Sequence, residues 1–197
     1  MGWKLYIAES TIFARRSLRR YSGNECAVAG GKIHDAEVVI DEKFVAGGDD
    51  EAIVSDDKKE YAGDPRWPDA CACGYRFHPE DHWLVNVNRL YSGAPDENLH
   101  VLRELPPGGC WDANWMDHPR YRGPDGKAWA CMMPCMIEWM VYAPSSDGKP
   151  WDVQGTIPKI TVSPSIAISG LYHGWIKNGE ISEDADGRPF AHLKRTV

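Results

Sequence analysis

The sequence has no apolar run long enough to span a bilayer. Its opening residues, Met1-Gly2-Trp3-Lys4-Leu5-Tyr6-Ile7, lack the apolar stretch of a secretory signal. A cytoplasmic protein that does not enter membranes is the expectation. Myristoylation is not expected either, because Tyr6 stands where that pattern wants Ser or Thr. No glycine-rich loop follows a strand and opens a helix, so a phosphate cradle is missing. Positive charge is in deficit: 22 Lys and Arg face 29 Asp and Glu, for a net charge of -7 and a pI near 5.5. That balance argues against nucleic acid as a partner, since binding its backbone needs clustered cations on one face. The one basic cluster, Arg15-Arg16 with Arg19-Arg20, is too short to reverse it and fits a helix face or a local anion contact.

What the chain does hold is nine tryptophans and fourteen prolines, mostly after Trp67, and six cysteines. Large flat rings between short strands and stiff loops suit a β-rich core. With 197 residues, one domain spanning 1–197 is the expectation. Trp3 to Ile7 and Ala36 to Ile40 read as strands, and Glu9-Ser10-Thr11 offers caps for one short helix over Phe13 to Tyr21. The acidic stretches Gly47 to Glu51 and Asp56 to Glu60 read as a surface loop. Beyond Trp83 the signals are almost all β: 83–91 with 99–105 as a hairpin, then strands at 128–133, 136–142, 159–168 and 171–181. Asp125-Gly126 and Asp147-Gly148 are turns of one chemistry. Asn178-Gly179, between alternating residues, is the strongest hairpin signal. The predicted fold class is mainly β with one short N-terminal helix (α+β), a compact antiparallel sheet or sandwich stabilised by zinc.

The metal expectation rests on Cys71-Ala72-Cys73-Gly74. Two thiolates one residue apart, followed by glycine, suit a tight turn that offers both sulfurs to one ion and lets backbone amides point at them. In a cytosolic setting such cysteines are expected as thiols or metal ligands rather than disulfides. His78 and His82 follow closely and can complete a tetrahedral set; Cys26 and His34 from the first third of the chain form the competing set. Cys131 and Cys135 read as core packing, and Cys110 as inert.

Ser165 and His173 flank Ser169-Gly170, a turn signal. A hairpin centred on Ser169 places the two residues opposite each other on one face, with Cβ atoms about 4.5 to 5.5 Å apart. That is the spacing a nucleophilic serine needs if an imidazole is to take its proton. Asp184, Asp186 or neither can orient the imidazole, and His192 is a weaker alternative partner. Pro164 has no amide hydrogen, so this strand is expected at an edge or bulge.

Taken in order, Cys71-Ala72-Cys73-Gly74, Trp151, Thr161-Val162-Ser163-Pro164-Ser165-Ile166 and His173-Gly174-Trp175-Ile176-Lys177-Asn178-Gly179-Glu180-Ile181 resemble the BubE-like family. Its members belong to bacterial ubiquitin-like conjugation operons and are regarded as serine peptidases acting on the modifier's C-terminus. The middle of the chain, Pro106 to Trp115 and Gly123 to Gly126, is more similar to uncharacterised phage-encoded proteins, so a phage or prophage origin is expected. The resemblance implies Ser165 as nucleophile, His173 as its base or a metal ligand, Cys71 and Cys73 as zinc ligands, and a protein or peptide partner. Gly170 stands where that family commonly has a cysteine. The resemblance therefore implies either that Cys26 or His34 replaces the missing ligand or that His173 is free for other work, and it favours Cys26 and His34 as the residues that complete the set. The alternative is a non-catalytic interaction protein, contacting its partner through Trp111 to Trp115.

Overall fold

In the computed structural model of the chain, residues 2–26, 32–44, 58–116 and 118–190 are described. The expected loop at 47–57 and His192 fall outside them. Fifteen strands follow in order: β1 Trp3–Lys4, β2 Tyr6–Ile7, β3 Glu9–Cys26, β4 Lys32–Phe44, β5 His82–Ser92, β6 His100–Val101, β7 Gly109–Asp112, β8 Trp129–Met132, β9 Glu138–Met140, β10 Asp152–Thr156, β11 Lys159–Ser163, β12 Ile166–Ile168, β13 Tyr172–Gly174, β14 Ile176–Lys177 and β15 Glu180–Ile181. The mainly-β expectation holds. The helix expected over 13–21 does not form, because those residues lie inside β3. No described helix is long and apolar enough to cross a membrane.

The reason lies in the spacing. Ala14 and Leu18, like Arg15 with Arg19 and Arg16 with Arg20, are four residues apart. Four is close to one helical turn and is also twice the strand period, so the pattern fits both. The partner strand decides. β4 carries Asp35, Glu37, Asp41 and Glu42, and its antiparallel register sets Arg16 against Asp41, Arg15 against Glu42 and Arg19 against Glu37. Arg19 grips Asp35 with two bonds of 2.8 and 2.6 Å, and Arg16 Nε reaches Asp41 at 2.7 Å. Each such exposed pair contributes only a few tenths of a kcal/mol, but an isolated helix would leave the whole acidic row without partners. Leu18 of β3 is fully buried, as are Val85, Val87 and Leu90 of the neighbouring strand β5.

Contacts divide the chain into two compact units, Ser10–Leu90 and Met1–Glu9 with Tyr91–Val197. The first is built on β4-β3-β5. The second holds the four-stranded sheet β2-β7-β8-β9, the three-stranded sheet β1-β15-β14 and the hairpins β10-β11 and β12-β13. Its principal core gathers Trp129, Trp139, Tyr172, Ile160, Ile166, Ile176 and Ile181 among others. Cys110 and Cys131 face each other across β7 and β8 with Cα atoms 4.2 Å apart and are joined as a disulfide. This corrects the expectation of free thiols there: a pairing across 21 residues depends on strand register, which cysteine spacing does not encode.

The glycine turns behave as read. Gly126 and Gly148 both sit at φ +80°, and Asn178 (φ 47°) with Gly179 (φ 77°) closes β14 on β15 as a type I′ turn. A Cβ on Gly126 would meet open space, whereas on Gly179 it would lie 2.3 Å from the Pro158 carbonyl oxygen. Gly126→Ala is therefore expected to cost about 1 kcal/mol from backbone strain alone. Gly179→Ala should lose at least about 1 kcal/mol more. Urea unfolding of the two variants measures the difference, and equal losses would contradict the clash.

Candidate functional site

Two constellations of reactive side chains form, one in each unit. In the unit 10–90, β3 delivers Cys26 as its last residue, and β4 delivers His34 from the register position opposite Ser22, across an irregularity that separates Ser22 from Cys26. The other two members sit on the knuckle. Ala70 bridges Arg76, the Phe77 amide donates to Asp69 O at 2.9 Å, and the Cys71 amide donates to Tyr75 O at 2.8 Å. The Gly74 amide closes the turn on Cys71 O at 2.9 Å with Gly74 at φ +91°. No atom crowds that glycine, so its conformation rather than its size is what the turn requires.

The ligand atoms of Cys26, His34, Cys71 and Cys73 all lie within 4.8 Å of one another. Cys26 Sγ stands 3.8 Å from Cys71 Sγ, and Cys73 Sγ stands 3.2 Å from His34 Nδ1. Metal–sulfur bonds of about 2.3 Å at tetrahedral angles place two sulfurs about 3.8 Å apart, so the first distance is that of two thiolates on one ion. Cys26, Cys71 and His34 are buried, and Cys73 is half-buried. The His34 ring lies flat on Tyr75, 4.1 Å away and 1° from parallel, which fixes the imidazole plane. The Cys73 amide, assisted by the Asp35 amide and the His34 and Cys73 side chains, outweighs burial and draws the Cys71 thiol down to about 6. A thiol so lowered is largely in the thiolate form that binds metal. These four residues can hold a metal ion.

The structure thus brings together Cys26, His34, Cys71 and Cys73, and leaves His78 and His82 out of the cluster. His78 is exposed, with its amide on Asp81, and His82 stacks on Tyr21 at 5.0 Å.

In the other unit, β12 pairs with β13 in the register Ile166 to Gly174, Ala167 to His173 and Ile168 to Tyr172. The hairpin is therefore centred one residue later than Ser169, and His173 faces Ala167. The resulting slip of two positions keeps every side chain on its face, so Ser165 and His173 become diagonal neighbours within reach of an imidazole. His173 Nε2 lies 3.1 Å from Ser165 Oγ, and His173 Nδ1 lies 3.2 Å from Asp186 Oδ1. With Nδ1–H donating to Asp186, Nε2 accepts from the serine hydroxyl.

The loop after β15 holds this line in place. The Ala185 amide donates to His173 O at 2.7 Å, and the His173 amide donates to Asp184 Oδ1 at 2.6 Å, so both backbone groups of the histidine are taken. Arg188 then ties the loop, with bonds of 2.8 and 2.9 Å to the buried Asp184 and 2.7 Å to Asp186. Asp186 is the orienting carboxylate and Asp184 the backbone anchor, a division that the Asp-x-Asp spacing left open. Arg188 was not anticipated; the Asp186-Gly187 turn immediately before it was its only signal. Trp175, tilted against His173 at 5.7 Å, lines a cleft of about 390 Å³ with Lys177, Glu180 and Ser182.

Trp111, offered as a partner contact, is buried at 1 % exposure and packs in the core, while Trp115 is partly buried against it. No protein family, curated protein or solved structure matches the chain.

Two outcomes follow. Elemental analysis should find one metal ion per chain, lost in Cys26→Ser and kept in His78→Ala and His82→Ala; loss in either histidine variant would contradict the ligand set. The Arg188 guanidinium, with backbone amides, holds the Asp184 carboxyl well below the usual carboxylate range. A carboxyl depressed by folding adds stability above its unfolded pKa of about 3.9, and that stability is lost as pH falls toward the folded value. Asp184→Asn should therefore be less stable at pH 7 and lose less stability than the wild type below about pH 4. Parallel pH profiles of the two proteins would contradict the anchor.

Proposed function

We propose that the chain is a zinc-stapled serine hydrolase that cleaves a peptide or isopeptide tail, with Ser165 as nucleophile, His173 as base and Asp186 as its orienting carboxylate. The observation that carries this reading is the placement of the two imidazole nitrogens: one faces the serine hydroxyl and the other faces a carboxylate. In that arrangement Ser165 Oγ attacks a carbonyl carbon while its proton passes to His173 Nε2. The imidazolium is stabilised by Asp186 and hands the proton to the leaving amine as the tetrahedral adduct collapses. Water then repeats the cycle on the acyl-serine.

An extended substrate suits the surroundings. β12 is paired on one side only among the described residues, so a peptide can lie along its open edge and bring a carbonyl to the residue that precedes the strand. The resemblance to BubE-like proteins points to the same chemistry. Zinc is the metal that best fits three thiolates and one imidazole, and such a closed set serves the fold rather than the reaction. Burial takes Trp111 out of the surface offered for the interaction-protein reading, leaving Trp115 partly exposed there.

The test is labelling by a fluorophosphonate that reports an activated serine. Labelling should be lost in Ser165→Ala and should slow by about a thousandfold in His173→Ala. Labelling that persists in Ser165→Ala, or that is missing from the wild type, would overturn the reading.

A further inference from the structure

A second cleft, of about 330 Å³, lies in the unit 10–90 and is lined by Arg20, Ala62, Trp67, Pro79 and Trp83. Its walls are firmly made. The Trp67 and Trp83 rings meet edge to face, 5.0 Å apart and 84° from parallel, forming a right-angled aromatic corner. Trp67 is held there by its indole N–H, which donates to Tyr61 O at 2.6 Å. Trp83 is carried by β5, and the exposed Ala62 and Pro79 form an apolar rim.

Arg20 is the one charged residue of this lining, and its situation differs from that of the other arginines on β3. Arg15, Arg16 and Arg19 each pair with a carboxylate of β4. Arg20 stands opposite Ala36, and among the described residues it has no carboxylate partner. Its guanidinium lies over Phe77 at 5.5 Å and spends one nitrogen on the His78 carbonyl at 2.7 Å, while its buried Nε has no acceptor. A buried donor without an acceptor is costly and rare in a finished fold.

We infer that this cleft is a binding site for an acidic, proline-containing peptide segment, in which a proline ring packs into the Trp67–Trp83 corner and a neighbouring carboxylate pairs with Arg20. The aromatic corner calls for a flat or rigid apolar group, and a proline segment already extended loses little entropy on docking. The guanidinium calls for a planar anion, which a glutamate side chain supplies with charge-assisted bonds. The exposed rim residues leave the cleft open for a chain to cross. The site is independent of the hydrolase reading and stands or falls without it.

The probes are the capped peptides Ac-Pro-Pro-Glu-Pro-NH2 and the same peptide with Gln or Lys in place of Glu, titrated into the full chain while the tryptophan indole N–H resonances are followed by NMR. The Glu peptide should shift the Trp67 and Trp83 resonances saturably, with the Gln peptide about tenfold weaker and the Lys peptide weaker still. Arg20→Gln should bring the Glu peptide down to the affinity of the Gln peptide. Equal binding of all three peptides, shifts confined to other tryptophans, or no saturable shift would each overturn the inference. So would a response to oligodeoxythymidylate alone, which would mark a nucleic-acid site. The Gln and Lys peptides probe the same contact from the ligand side, so a variant that failed to fold would not shelter the proposal.

Discussion

Three sulfurs and one imidazole nitrogen drawn within 4.8 Å of one another are the constraint on which the unit 10–90 depends. Among the described residues, the buried apolar cluster at that end of the unit is Cys26, Cys71 and Phe77, with Ala36, Cys73 and Tyr75 partly buried against it, and Phe77 is its one large buried hydrocarbon side chain. Burying one such ring contributes about 2 kcal/mol. Holding a structural zinc ion in a closed set of thiolates and imidazole contributes on the order of 10 kcal/mol. By these magnitudes an ion bound there would outweigh the local apolar packing several-fold. It would join the end of the β3–β4 hairpin to a turn roughly forty residues further on, and the flat stack of His34 on Tyr75 holds the imidazole plane in place.

In the other unit the governing device is a short hairpin clasped by a loop. The residue just before β12 contributes the serine and β13 the histidine, and the segment 184–188 takes both backbone groups of His173 before presenting Asp186 to its ring. The carboxylate that orients and the carboxylate that anchors are two residues apart, and a single arginine holds both. Preorganisation of this kind lets an imidazole with a third of its side chain exposed keep one orientation without being buried.

The sequence announced the features whose chemistry is local. Cys-x-Cys-Gly can make few things other than a turn with two sulfurs on one side, and Asn178-Gly179 can make few things other than a type I′ hairpin; both are present as read. Ser165 and His173 meet because side-chain direction in a strand repeats every two residues, so a register slip of two left the expectation of a shared face intact. What was illegible depends on partners distant in the chain. The four-residue spacing of the β3 arginines reads as helix until the acidic row of β4 is set against it. The Cys110–Cys131 pairing follows from the register of β7 on β8, and the roles of Asp184 and Asp186 are separated only by the bonds of Arg188. Cys26 and His34 stood beside His78 and His82 as alternative ligands, and a resemblance with a missing cysteine at Gly170, not any spacing of their own, favoured them.

The central claim is that this chain closes its N-terminal sheet with one metal ion held by three sulfurs and one nitrogen. X-ray absorption fine structure at the zinc edge of the purified protein tests it most directly. The account predicts a four-coordinate ion with three sulfur neighbours at about 2.3 Å and one nitrogen at about 2.0 Å. A shell of four sulfurs, two sulfurs with two nitrogens, or one dominated by oxygen would contradict it.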